Sequence, residues 1–445
     1  MKNNNEPAYP NPAYAWYVVV ILFLAYTISF VDRQIMSLLI EPIKKDLVIS
    51  DTQISLLHGF AFAIFYTVLG IPLGRLADRK NRKLLIAAGI FVWSFMTAVC
   101  GVAKNFWSLF VARIGVGVGE ATLSPAAYSI ISDYFPKEKR GMAISLYSMG
   151  VFFGAGLAYI LGGVVVQIAA QAKETILPVV GEVRTWQLAF FFAGAPGLLI
   201  VALMYTVKEP PRRDVLVMDS GREHLTIGET IGFLLQHKKT YGTLLLGFAL
   251  MGTLSYGFFT WTPSFFIRTY GWEASHIGFV FGCLVLVLGT GGIFLGGVIA
   301  DKIFVKGNVD AYLKVSILAA LGVLFFGVSA TQMPNPILAL VCLGPTVFFL
   351  GFPVGLGPAA LNLITPNQIR GQAIAIYNFG INLIGLGVGP TFVALITDYI
   401  FKDTAALRHS LAIFTVIIAL IALASLWLGL KPYRESARVI LAEEK

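Results

Sequence analysis

The sequence predicts an all-α membrane protein whose twelve transmembrane helices form two pseudo-symmetric six-helix bundles. Three observations carry that prediction. Apolar runs of spanning length recur twelve times, one long polar interruption divides them evenly, and short charged motifs appear in both halves. Of the 445 residues, 57% are hydrophobic and only 13% are charged, with a mean hydropathy of +0.78. Soluble chains are about 25% charged, so lipid is the expected solvent for much of this surface.

A spanning helix needs roughly 20 mostly apolar residues, because a hydrocarbon layer about 30 Å thick is crossed at 1.5 Å per residue. The qualifying stretches are 16–40, 52–76, 84–102, 106–131, 142–166, 187–207, 243–266, 276–299, 315–329, 336–364, 373–396 and 410–430. The ninth is short unless residues 313–314 or Ala330 join it. Before the first run the chain is polar, and no small-residue cleavage site follows that run, so it reads as a retained first helix. Ser50-x-x-Gln53 and Thr226-x-x-Glu229 read as capping boxes at helix starts. Cys100, Cys283 and Cys342 fall in apolar runs and are read as buried thiols, without disulfide or zinc spacing.

The longest polar interruption, residues 208–239, contains Lys208-Glu209-Pro210-Pro211-Arg212-Arg213. It gives a tail at 1–13, a bundle at 14–207, a central loop at 208–240, a second bundle at 241–430 and a tail at 431–445. Of the 33 Lys and Arg residues, 23 lie on the face bearing the termini and 8 on the opposite face, with Arg33 and Arg113 inside helices. Positive loops stay cytoplasmic, so both termini are expected inside an inner membrane. The net charge of +9 is therefore a topology signal with some attraction to anionic headgroups, not a nucleic-acid patch.

The halves repeat weakly. Gly74-Arg75-Leu76-Ala77-Asp78-Arg79 matches Gly297-Val298-Ile299-Ala300-Asp301-Lys302. Arg140-Gly141-Met142-Ala143-Ile144 matches Arg370-Gly371-Gln372-Ala373-Ile374, and Tyr147 and Tyr377 continue that alignment. Parallel repeats of six helices are a known transporter plan, with the substrate site near the midplane where the repeats meet.

The run Gly74-Arg75-Leu76-Ala77-Asp78-Arg79-Lys80-Asn81-Arg82-Lys83 resembles the signature loop of the major facilitator superfamily. Asp32-Arg33, the Asn81-Arg82-Lys83 ending, and Gly115-Val116-Gly117-Val118-Gly119-Glu120-Ala121 resemble the Spinster-type lipid transporters. Ser29-Phe30-Val31 stands where relatives often carry Asn-Tyr before the Asp-Arg pair. The resemblance implies proton-linked movement of lysolipids or sphingosine-phosphate-like amphiphiles, centred on Asp32, Arg33 and Glu120. It also implies a switch in which Asp78 attracts the positive end of a helix from the other half, with Gly74, Arg79, Asp133 and Arg140 taking part. Arg79, Lys80, Arg82 and Lys83 otherwise read as topology determinants.

A charge at the centre of a spanning helix costs about 2.5–3.5 kcal/mol on insertion scales, so such residues face a cavity or a partner. The first and fourth helices hold four: Asp32, Arg33, Arg113 and Glu120. Arg113 and Glu120, seven apart, share one helix face. Asp32 and Arg33 point about 100° apart, so one is expected toward a cavity and the other toward a neighbouring helix. Gly115, Gly117 and Gly119 thin the fourth helix and are expected to let the first approach it. Gly150, Gly154 and Gly156 in the fifth are expected to allow close packing.

Burial raises a carboxylate's pKa and a nearby Arg lowers it. Asp32 or Glu120 is therefore expected to bind a proton when its Arg partner turns toward an anionic substrate. Arg33 and Arg113 are read as substrate contacts, with ion pairing as the alternative for Arg33 and a clamp on backbone carbonyls for Arg113. In the second half, Tyr256, Trp261, Asn362, Tyr377, Asn378 and Asn382 are read as an aromatic and amide lining suited to an amphipathic ligand, or else as packing. His58 reads as a lone histidine facing a pocket or neighbour, with a proton relay as the alternative.

No P-loop, zinc spacing or triad order is found, so the chain is read as a non-enzyme. The proton is its only expected coupling ion, with no other cofactor and no metal. The expected carrier is a monomer working by alternating access on an amphipathic lipid-like or drug-like anion. The competing readings are uptake of a small soluble organic anion, such as a carboxylate or sugar acid, and a non-transporting sensor on the same fold.

Overall fold

The computed structural model of the protein describes residues 9–171, 175–177, 181–212, 227–366 and 369–443. Among the described residues, twelve helices are long and apolar enough to cross a membrane: Pro12–Leu38 (α1), Asp51–Gly70 (α2), Arg82–Cys100 (α3), Phe106–Tyr134 (α4), Lys139–Ile168 (α5), Thr185–Thr206 (α6), Lys238–Tyr270 (α7), Ala274–Val305 (α8), Ala311–Gln332 (α9), Pro336–Ile364 (α10), Gln372–Phe401 (α11) and Thr404–Ile440 (α12). Each matches an apolar run read from the sequence. The short ninth run lengthens at both ends to 22 residues, because the buried Ala311 and Leu313 extend its packed face.

Local chemistry sets the ends. Ser50 accepts from the Gln53 backbone N–H at 3.1 Å while Gln53 Oε1 accepts from the Ser50 N–H at 2.9 Å, which is the expected capping box. Thr226, the start of the other expected box, lies outside the described residues. Two departures from the sequence reading stand out. The last helix continues through Glu443 instead of ending near 430, because Tyr433 and Ala437 are buried and Tyr433 Oη donates to the Ala360 carbonyl at 3.0 Å. A small antiparallel hairpin, β1 (Thr175–Leu177) and β2 (Gly181–Val183), joins α5 to α6 within the expected all-α fold.

The chain divides into two compact units, Met1–Val217 with Glu273–Cys283, and Met218–Trp272 with Leu284–Lys445. The first turns of α8 thus belong with the first unit. Small residues make that packing possible: a Cβ built on Gly282 would sit 2.6 Å from the Gly156 carbonyl oxygen. Gly154 plays the same part between α5 and α1, where a Cβ would lie 2.5 Å from the Thr27 carbonyl oxygen. Close backbone approach by small residues is the main packing device where lipid removes the hydrophobic drive between helices. Of the three thiols, all free, Cys100 is buried, while Cys283 and Cys342 are only half-buried because their apolar runs also face outward.

Candidate functional site: a buried charge cluster and two polar clasps

Four of the first unit's helices converge on one buried cluster. The last turns of α1 supply Ser29, Asp32 and Arg33, the start of α2 supplies His58, α3 supplies Thr97, and α4 supplies Arg113 and Glu120. All are at most 2% exposed. The glycines of α4 do help build the cluster, but they admit α2 and α3, not α1 as expected. A Cβ on Gly117 would lie 2.9 Å from the Phe62 carbonyl oxygen, and one on Gly119 would lie 2.6 Å from the Trp93 nitrogen.

Glu120 Oε2 accepts from Arg33 Nη2 at 2.5 Å and from Ser29 Oγ at 2.7 Å. Ser29 is one helical turn before Arg33, so both reach the same carboxylate. The Arg33 guanidinium also lies over Phe62 at 4.3 Å, Phe30 at 4.5 Å and Tyr66 at 5.2 Å. Ring faces replace some of the hydration lost on burial, which helps hold an ion pair whose desolvation cost is large. The other oxygen, Oε1, is buried with no hydrogen-bond partner.

Asp32 points elsewhere, as neighbours on a helix must. Its Oδ2 accepts from Thr97 Oγ1 at 3.2 Å and its Oδ1 is buried without a partner. It forms no salt bridge among the described residues. Arg113 is held by backbone: Nε donates to the Leu57 carbonyl at 3.4 Å and Nη1 to the Asp32 carbonyl at 3.5 Å, while Nη2 has no partner. The carbonyl-clamp alternative for Arg113 therefore describes its contacts. Leu57 belongs to a π-helical turn, Leu56–Phe60, a feature that recurs at functional sites. That turn also carries His58, whose two ring nitrogens are buried and unpartnered.

These positions correct one expectation. Both Asp32 and Arg33 are buried, and each meets neighbouring helices: Asp32 meets Thr97 of α3, and Arg33 meets Glu120 of α4 with Phe62 and Tyr66 of α2. Ser29, Thr97, Phe62 and Tyr66 were not anticipated. Only Ser29 left a trace in the sequence, through its four-residue spacing from Arg33.

The second unit's candidates separate into three groups. Trp261 is fully buried and donates Nε1–H to the Pro390 carbonyl at 2.9 Å. Tyr377 is buried against Phe248, at 6.0 Å between ring centroids, and fills the space left by Gly357. The contacts of both are those of the packing alternative, since an aromatic stripe alone does not show which face it serves. Tyr256 Oη donates to Asn382 Oδ1 at 3.4 Å, Asn382 Nδ2 donates to the Asn378 carbonyl at 2.9 Å, and Asn378 is exposed. These three form a polar strip on α7 and α11. Asn362 lies apart, lining a groove with Arg370.

At the start of α3, Arg82 is buried and pairs with Asp133, while its Nε donates to Glu209 Oε1 at 2.6 Å. Ser129 Oγ at 2.8 Å and the Pro210 carbonyl at 2.9 Å complete its shell. Glu209 Oε2 also caps α3 by accepting from the Lys83 N–H at 3.0 Å. Arg212 Nη2 reaches the Ala77 carbonyl at 2.7 Å. Arg82 and Lys83 are thus more than topology determinants, and Glu209, the one acid in a basic stretch, was missed. Asp133 is engaged by Arg82, Arg140 donates to the Phe135 carbonyl at 3.5 Å, and Arg79 is exposed. Gly74 has only an ordinary contact with Pro125. The Asp78 side chain lies outside the described residues.

The second unit has a clasp of reversed polarity. Asp310, preceding α9, accepts from Arg434 Nη2 at 2.6 Å and pairs with Lys314 at 2.9 Å. Burial pushes the Asp310 carboxyl up, but hydrogen bonds and charge from Lys314 and Arg434 outweigh it, so its pKa lies below the ordinary value of 3.8. A depressed folded-state pKa gives stability that is present above the unfolded value and lost as pH falls through the folded one. Thermal unfolding of Asp310→Asn is therefore expected to lose part of the wild-type decline below about pH 4; an identical acid limb in both proteins would refute the assignment.

Twelve apolar helices that keep ionisable groups inside one helical unit, away from lipid, define a multi-pass membrane carrier. The chain belongs to the Major Facilitator Superfamily, whose family model matches residues 22–366. It is similar to an "MFS-type efflux pump" of Mycolicibacterium smegmatis, 27% identical over 95% of this chain and 94% of that protein. It is also similar to a "Probable L-galactonate transporter" of Escherichia coli, 24% identical over 94% of this chain and 90% of that one. A solved bacterial homologue of the human lysosomal transporter Spinster, inward-facing and unoccupied, superposes with a TM-score of 0.77. It is 26% identical, over 97% of this chain and 99% of the other. This is a superfamily transporter with Spinster-like structure.

Proposed function

We propose that this transporter couples proton movement to the export of an amphipathic, lipid-like or drug-like anion by alternating access. The observation that carries the reading is the single oxygen of Glu120 shared by Arg33 and Ser29. A proton on Glu120 cancels the charge that holds Arg33, and the guanidinium is then available to an anionic substrate. Loss of the substrate returns Arg33 to Glu120 and expels the proton. Asp32, one residue before Arg33 and with one oxygen unpartnered, is the second proton site. Arg113 holds the Asp32 backbone to the π-helical turn of α2 through the Asp32 and Leu57 carbonyls.

Aromatic rings around Arg33 suit a headgroup joined to an apolar body. Tyr256, Asn378 and Asn382 keep accessible polar atoms and are retained as substrate contacts. The carrier acts as a monomer in the inner membrane, with both termini on the positively charged cytoplasmic side and the proton as coupling ion. Similarity to the Spinster homologue and the efflux pump supports the lead. Similarity to the L-galactonate transporter favours the rival, uptake of a small sugar acid.

Counterflow in proteoliposomes at two pH values separates the two. Labelled lysolipid is expected to exchange through the wild-type protein, faster at one pH than at the other. Exchange of labelled sugar acids with none of lysolipid would reverse the assignment. Flux unchanged by an imposed pH gradient would remove the coupling.

A further inference from the structure

The two pseudo-symmetric units differ at one matching place. In the first, the end of α4 carries Asp133, which with Arg82 and Glu209 closes that end of the unit with ion pairs. The repeat that aligns Arg140 with Arg370 puts Leu363 where Asp133 stands. The acid is gone, and the second unit has an open groove of about 370 Å³ there, lined by Phe304, Tyr312, Ala359, Asn362, Leu363 and Arg370. That volume is at the lower end of ligand sites, roughly 300–1,000 Å³.

The groove's polar groups are incompletely satisfied. Arg370 has no acidic partner among the described residues; its Nε and Nη2 donate only to the Thr365 carbonyl, at 3.3 and 3.2 Å. The Asn362 amide makes no hydrogen bond among the described residues, and its Oδ1 is buried without a partner. Tyr312 Oη donates to the exposed Asp301 at 3.1 Å. Lys302 and Lys306 are exposed on the adjoining end of α8, so the surroundings remain net basic. Phe304, Ala359 and Leu363 supply an apolar flank.

We propose that this groove binds the phosphodiester headgroup of an anionic membrane lipid, with Arg370 and Asn362 donating to the phosphate and Phe304 and Leu363 against the glycerol and upper chain. Guanidinium-to-phosphate hydrogen bonds are among the stronger polar contacts, and basic pockets between helices on the termini-bearing face suit anionic headgroups. The site is separate from the Arg33–Glu120 cluster and does not depend on which solute is carried. It also gives Asn362 a role other than substrate contact.

The test is native mass spectrometry of the full-length protein equilibrated with equal amounts of phosphatidylglycerol and phosphatidylcholine. Wild type is expected to retain phosphatidylglycerol about tenfold better: both lipids offer the phosphate, but only phosphatidylcholine brings a cationic choline into these net basic surroundings, and a tenfold difference needs only about 1.4 kcal/mol. In Arg370→Gln and in Asn362→Leu, each first shown to be folded by thermal unfolding, the ratio is expected to fall toward one. Equal retention by wild type overturns the proposal without any variant. A preference that survives in both folded variants places the lipid elsewhere and also overturns it. Displacement of bound lipid by millimolar inorganic phosphate would identify a soluble anion site and overturn the lipid as occupant.

Discussion

Glu120→Gln is expected to abolish proton-driven transport while leaving solute exchange in place. The substitution keeps the size and one hydrogen-bond acceptor for Ser29 but removes the charge that holds Arg33 at 2.5 Å. It therefore imitates the protonated state permanently. Breaking a buried ion pair from one side costs about 3–5 kcal/mol, and each 1.4 kcal/mol is about tenfold in an equilibrium. That penalty falls on stability; accumulation in proteoliposomes is expected to fall from the ratio set by the imposed pH gradient, about tenfold per pH unit for one proton, to one, with counterflow persisting and losing its pH dependence. Asp32→Asn leaves the Arg33–Glu120 pair intact and is expected to weaken coupling less. Wild-type accumulation in Glu120→Gln would show that the pair is only structural.

The second large effect is expected at Arg82. Arg82→Gln removes the base at the centre of the first unit's clasp and leaves Asp133 and Glu209 facing each other without it. Asp133 is nearly buried, so the penalty approaches that of an uncompensated interior charge, about 3–5 kcal/mol. The variant is expected to unfold at a markedly lower temperature in detergent. Glu209→Gln, whose carboxylate is partly exposed, is expected to lose less and to retain the Arg82–Asp133 pair. Equal melting of wild type and Arg82→Gln would show that the clasp contributes nothing. The matching clasp in the second unit has its charges inverted, with Asp310 held between Lys314 and Arg434.

The structure also explains why some residues were readable and others were not. Asp32, Arg33, Arg113 and Glu120 announced themselves because a charge in an apolar run is costly anywhere but inside. Their division of labour did not. Helical spacing says that Asp32 and Arg33 diverge, yet only the arrangement of α2, α3 and α4 gave Thr97 to one and Glu120 to the other. Arg82 looked like any other base in a positive loop, since burial of a loop residue depends on chain segments far away, here Asp133 and Glu209. Trp261 and Tyr377 could not be divided between packing and lining from sequence, because aromatic character is shared by packing and binding faces.

By itself the sequence determined the twelve spans, the two halves, the charge bias between the membrane faces and the identity of the interior acids and bases. All of these follow from composition and spacing, because the cost of placing polar groups in hydrocarbon acts on each segment alone. Tertiary structure decided the pairings: Arg33 with Glu120, Arg113 with backbone carbonyls, Arg82 with Asp133, and an open groove beside Arg370. Those choices rest on contacts over a few ångströms between helices distant in the chain, and no local pattern encodes them.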